Sequence, residues 1–197
     1  MRSRNSQLHD ARREAILAAA AACFFRRGFH ASSMKDICAA AGMSAGTLYH
    51  YFPSKAAIVA GILESERRAT RALLAELDNA AGLRAGLSAA LDTLERYATE
   101  EDLRLQAEIA AEILRDPVLR AEAAAQEAEA RTDLAARLEA AAAAGEITPA
   151  AGAATATAIA ALLDGILWAA TLHGPAHLAA ARPALEAALD RLLEPRR

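Results

Sequence analysis

Ser33-Met34-Lys35-Asp36-Ile37-Cys38-Ala39-Ala40-Ala41-Gly42-Met43-Ser44-Ala45-Gly46-Thr47-Leu48-Tyr49-His50-Tyr51-Phe52-Pro53-Ser54-Lys55 reads as two short helices around a tight turn. Ser33 followed three residues later by Asp36 is a start of the capping-box kind. Ile37 and Ala41 share one helical face, and Gly42 is able to take the left-handed conformation that ends a helix. Met43 pins the turn to a core, and Ser44 is a good N-cap for a second helix. Leu48 faces inward, whereas Thr47, Tyr49 and Tyr51 point elsewhere. Cys38 is small where two crossing helices must approach. Such a helix-turn-helix places its second helix in the DNA major groove.

The same residues resemble the TetR family of bacterial transcriptional regulators. The likeness is carried by Ser32 to Ile37, by Ala41-Gly42-Met43-Ser44, by Gly46-Thr47-Leu48-Tyr49, and by Tyr51, Phe52, Ser54 and Lys55. The departures are mild: Ser for Thr at the helix start, Cys38 for Ala and Lys35 for Arg. Leu114 to Arg120 and Leu163-Asp164-Gly165 add two local phrases. The resemblance implies an all-α chain: a three-helix helix-turn-helix domain over 8–55, then a helical effector-binding and dimerisation domain over 56–197. It also implies DNA contacts at Thr47, Tyr49, Tyr51 and Lys55, with Lys35 near a base.

Charge points the same way. Residues 1–55 carry eight basic and three acidic side chains, a net +5. The whole chain is −3, which leaves −8 on the remainder. A basic head on an acidic body suits a polyanion met by the head alone. The chain has 197 residues and is 54% hydrophobic but only 4% aromatic. Alanine dominates, which favours close-packed helices, and no alternating Val/Ile/Thr run suggests a strand.

Working outward, a first helix is predicted from Asp10 to Gly28, after a flexible arm over Met1–His9. The helix after Ser54 runs to about Ala80. Further helices are predicted near Leu83–Thr99, Glu101–Leu114, Pro117–Ala144, Pro149–Leu172 and beyond Gly174-Pro175. Asp116 and Pro117 form a helix start. Cys23 and Cys38 read as small core residues of a reducing cytoplasm, with a redox switch as the alternative. From Ile147 to Ala181 the only formal charge is Asp164. A central Asp is costly in lipid, so buried interface helices explain that run better than a membrane span.

The second helix of the motif begins with small residues, Ser44, Ala45 and Gly46, which let its backbone approach DNA closely. Thr47 suits a phosphate or a thymine methyl. The hydroxyls of Tyr49 and Tyr51 suit phosphates, and His50 suits a base edge or a phosphate. Ser33 and Lys35 open the preceding helix, with Lys35 reaching guanine or backbone. Lys55 sits where its charge and a helix N-terminus both favour phosphate.

In the body, Ala161, Gly165 and Ala169 form a small-residue stripe, and Leu185, Leu189 and Leu192 an apolar seam. A homodimer through the last two helices is expected from these. The family implies an apolar effector pocket, with Tyr97, Gln106, Asp164, Trp168 and Thr171 as candidates. Asp164 and Trp168 share a helical face suited to a cationic aromatic molecule.

Gly42-Met43-Ser44-Ala45-Gly46 also matches the nucleophile elbow G-x-S-x-G, but that motif needs a strand before the Ser. No phosphate-binding Gly loop and no Cys/His metal spacing appear, so neither a cofactor nor a metal is expected. The reading is a cytoplasmic DNA-binding regulator, not an enzyme. The expected action is that of a repressor released from operator DNA by a small molecule. The alternative is a DNA-binding adaptor regulated by a protein partner.

Overall fold

A computed structural model describes residues 4–79, 82–147 and 152–193. Pro149 and Ala80, read above as helix ends, lie outside them. Among the described residues there are nine helices and no strand. They are α1 (Arg4–Arg27), α2 (Met34–Ala40), α3 (Ala45–Tyr51), α4 (Lys55–Asn79), α5 (Leu83–Tyr97), α6 (Glu100–Arg115), α7 (Pro117–Ala143), α8 (Gly152–His173) and α9 (Ala176–Leu193).

Packing divides the chain into two compact units. The first is the chain up to Glu66 together with Arg104–Ala123; the second is Arg67–Leu103 together with the chain from Ala124 on. This division differs from a single boundary at residue 55. The head core takes residues from α4, α6 and α7 as well as from the first three helices.

In the first unit Ile16, Ala20 and Phe24 of α1 are fully buried, at the i, i+4, i+8 spacing. They join Ile37, Leu48, Ile58 and Val59, with Ile109 of α6 and Leu119 of α7. One correction concerns the start of α1. The helix begins at Arg4, so Asp10 lies inside it and does not cap it. No Gly or Pro interrupts residues 4–27, and nothing else stops the helix extending toward the N-terminus. The His9 ring packs on Tyr51, with centroids 4.7 Å apart. The part of the expected flexible arm that is described, Arg4–His9, is therefore helical.

In the second unit Leu83, Leu87 and Leu91 of α5 pack with Leu134 and Leu138 of α7, Ile159 of α8, and residues of α9. A second correction falls here. Leu185 and Leu189 are 7% and 5% exposed, and Leu192 packs against the same core. The apolar seam of α9 thus serves its own subunit. Its polar side is held to α5 by Arg182, which pairs with Asp92, Glu95 and Glu186 and donates to Ser88 Oγ at 3.1 Å. The hydrogen bonds to Glu186 and Asp92 raise the Arg182 pKa further.

Candidate nucleic-acid interface

The helix-turn-helix is built as its sequence dictates. Ser33 Oγ accepts from Asp36 N at 3.1 Å, and Asp36 Oδ2 accepts from Ser33 N at 2.9 Å, a reciprocal capping box. The hydrogen bonds from Ser33 hold the Asp36 carboxyl below its ordinary pKa, and Arg27 beside it acts in the same direction. Gly42 ends α2 at φ +62°, in the left-handed region. The buried Cys38 thiol donates to Met43 O at 2.8 Å and ties helix to turn. Ser44 Oγ then accepts from Thr47 N at 3.2 Å and starts α3.

The two faces of α3 are opposed. Leu48 is fully buried beneath it, while Ser44, Ala45, Gly46, Tyr49 and His50 are exposed. Thr47 and Tyr51 are half-buried at its edges. Thr47 shares a 2.9 Å hydroxyl contact with Ser44, and the Tyr51 ring meets both His9 and His50. Ser33 and Lys35 are exposed at the start of α2. Nine of the ten candidate DNA contacts therefore lie on α2, on α3 or at the N-caps of these two helices.

Lys55 differs. Its ammonium lies 2.7 Å from Phe29 O, 2.7 Å from Ser32 O and 3.5 Å from His30 O. It also sits 4.3 Å from the centroid of the Phe29 ring. An ammonium has three donors, and three carbonyls of the α1–α2 turn take them. Ser32 is 2% exposed, and its hydroxyl lies against Cys23 O at 3.1 Å and Gly28 O at 2.8 Å.

The sequence reading missed two α6 residues near that turn. Glu108 Oε2 accepts from Phe29 N at 2.9 Å. Glu112, only 8% exposed, brings Oε1 within 3.0 Å of His30 Nε2 and 2.5 Å of Arg115 Nη1. The available signal was two carboxylates four apart, flanking Ile109 and Ile113 on one helix.

The five effector candidates are not brought together as one set. Gln106 belongs to the first unit and the other four to the second. Gln106 Nε2 donates to Glu66 at 2.9 Å. Burial pushes the Glu66 carboxyl up to about 7, against the opposing hydrogen bond from Gln106. Tyr97 and Trp168 are 66% and 61% exposed. Asp164 is raised by burial and by the nearby Glu127, with Arg131 opposing. Thr171 donates to Leu167 O at 2.9 Å, within its own helix.

Comparison with known proteins agrees with this geometry. Residues 16–62 match the model described as bacterial regulatory proteins, tetR family. Residues 79–194 match a BetI-type transcriptional repressor C-terminal domain. The regulator UidR of Escherichia coli (strain K12) is 50% identical over 58 residues, which cover 29% of this chain and 30% of that protein. The transcriptional activator FasR of Mycolicibacterium smegmatis is 32% identical over 126 residues, covering 55% and 58%. The solved structure of Salmonella enterica GusR is 32% identical, covers 93% of this chain and 95% of its own, and superposes with a TM-score of 0.78. These relatives are regulators and not enzymes. The chain belongs to the TetR family of bacterial DNA-binding transcriptional regulators.

Proposed function

We propose that this regulator is a cytoplasmic repressor that reads a two-fold operator as a homodimer and is released by a small molecule. The observation that carries the DNA side is the face of α3, with Leu48 buried beneath and Ala45, Gly46, Tyr49 and His50 open. A positive head adds sequence-independent attraction to phosphates. Ser44, Thr47, Tyr49 and Tyr51 fix the helix on the backbone, and Lys35 and His50 read bases.

The dimer reading rests on α8. Gly152–His173 is long and apolar enough to cross a membrane by length and composition, yet only 22% of its apolar window is buried inside the subunit. Ala161, Gly165, Trp168 and Leu172 are exposed along it. On α9 the residues Ala176, Ala179, Ala180, Pro183, Ala184 and Ala187 are exposed, with the charged Asp190 and Arg191 exposed only at its C-terminal end. A second copy covering both helices accounts for this small, apolar surface without lipid. Trp168 then belongs to the subunit contact. Glu66 and Gln106 are then the effector contacts we favour: the half-buried Glu66 carboxyl accepts from the exposed Gln106 amide at 2.9 Å, a polar pair open to a ligand on one side. Tyr97, Asp164 and Thr171 remain as secondary candidates.

The test is selection of bound duplexes from a random-sequence pool, followed by titration against salt. A two-fold motif and a steep fall of affinity with salt support the proposal. Recovery of unrelated duplexes with a flat salt dependence rejects it.

A further inference from the structure

The turn Gly28–Ser32 joins α1 to α2 and sets where the helix-turn-helix begins. Its backbone groups fall outside both helices and need partners. Gly28 N, Ser32 N and Gly28 O are bonded locally, to Phe24 O, Phe29 O and Ser32 Oγ, and two side chains of opposite sign supply partners for Phe29 N and for the carbonyls of Phe29, His30 and Ser32. Glu108 of α6 takes the Phe29 N–H at 2.9 Å. Lys55 of α4 gives its donors to the carbonyls of Phe29, Ser32 and His30.

The fit around the turn is close. Gly28 has φ +79°, and a Cβ there would lie 3.4 Å from Glu108 Oε2. The Phe29 ring is covered by the Lys55 ammonium at 4.3 Å and by Phe24 at 5.1 Å. Glu112, buried on the next turn of α6, holds the His30 ring from the same side. The carboxylates contribute negative charge to a unit that must approach a polyanion. Both are engaged by donors rather than free: Glu108 takes the Phe29 N–H, and Glu112 meets His30 and Arg115.

We infer that Lys55 and Glu108 are positioning residues for operator reading, which fix the Gly28–Ser32 turn and with it the placement of α2 and α3, and that Lys55 is not a phosphate ligand. The inference rests on the operator-binding reading above. That reading is checked separately, because the wild-type protein must first bind the duplex recovered by selection.

Four variants are titrated against that duplex and against a scrambled one, over a salt series: Glu108→Ala, Glu108→Gln, Lys55→Gln and Lys55→Arg. Both Glu108 variants remove the same charge, but Gln keeps an oxygen acceptor for Phe29 N–H. Glu108→Ala is expected to lose about tenfold or more in binding the selected duplex, as for a charge-assisted hydrogen bond. Glu108→Gln is expected to recover most of that affinity. Equal affinities in the two Glu108 variants, whether higher or lower than wild type, overturn the role of Glu108.

Lys55→Gln is expected to weaken binding of the selected duplex with an unchanged salt slope. A phosphate ligand would lower the slope of log K against log salt by about 0.9. A shallower slope with equal losses on both duplexes therefore overturns the role of Lys55. Lys55→Arg keeps the donors but lacks the compact geometry, so it is expected to show an intermediate loss at wild-type slope. It also keeps the slope test available if Lys55→Gln melts early.

Discussion

Gly61 lies directly beneath Phe52. A Cβ built on Gly61 would stand 2.8 Å from Cε1 of the Phe52 ring and 3.0 Å from a methyl of Leu17. Phe52 and Leu17 are both buried, so neither side chain can swing into solvent. Gly61→Ala is expected to destabilise the protein by roughly 1–3 kcal/mol, the usual cost of overpacking a core. Thermal or urea denaturation measures it, and an unchanged midpoint would show that α4 can shift away from Phe52 at no cost.

Gly46 provides the opposite case. Nothing lies within 4 Å of a Cβ placed there, and the residue is exposed inside α3. Gly46→Ala should therefore leave the fold intact or stabilise α3 by up to about 1 kcal/mol, the helix preference of Ala over Gly. Operator binding should nevertheless fall, since the added methyl stands between the helix and DNA. A variant that melts higher and binds the selected duplex as tightly as wild type would remove close approach as the reason for this glycine.

These two glycines show what was legible in the sequence and what was not. The helix-turn-helix was, because its determinants are local: Ser33 with Asp36, Gly42, Ser44 and Pro53 act within a few residues. Asp116 is another local signal, and its carboxylate caps α7 at Val118 N, 2.8 Å away. The partners of the Gly28–Ser32 turn were not legible. Glu108 meets Phe29 across 79 positions of sequence; the two carboxylates four apart on α6 mark a face of that helix but do not name its partner. Leu185 and Leu189 show a third kind of limit. Periodicity marks an apolar face but does not say whether the subunit itself or a second copy covers it. Gly61 is silent for the same reason: its role depends on a ring contributed by the C-cap of another helix.

Glu66 gives stability a pH dependence. Its carboxyl is raised from 4.5 to about 7 by burial, beside Ile62 and Leu63 on α4. The folded state then holds a proton that the unfolded chain has released. Between about pH 4.5 and 7 the folded state binds more protons at this site, so its contribution to stability declines as pH rises, then levels off. The change is on the order of 1–3 kcal/mol. Glu66→Gln should remove that slope and be more stable than wild type at pH 8. Parallel melting curves for the two proteins across this range would show that the carboxyl is well solvated.

Trp168 is the only tryptophan, and 61% of it is exposed in an isolated subunit. If a second copy covers α8, its emission should be that of a buried indole at high protein concentration. The emission should shift to the red, with stronger acrylamide quenching, over the dilution range in which sedimentation reports dissociation. Gly165 lies three residues earlier on the same exposed face, and a Cβ there meets nothing within 4 Å. Gly165→Phe should accordingly preserve the fold of one subunit but force two α8 helices apart, shifting dissociation to higher concentration. Trp168→Ala should do the same by removing buried apolar area, at about 25 cal/mol per Å². Both variants should bind operator with lower apparent affinity, because the paired heads no longer act as one ligand. Emission independent of concentration, with both variants as dimeric as wild type, would move the subunit contact off α8 and return Trp168 to the effector site.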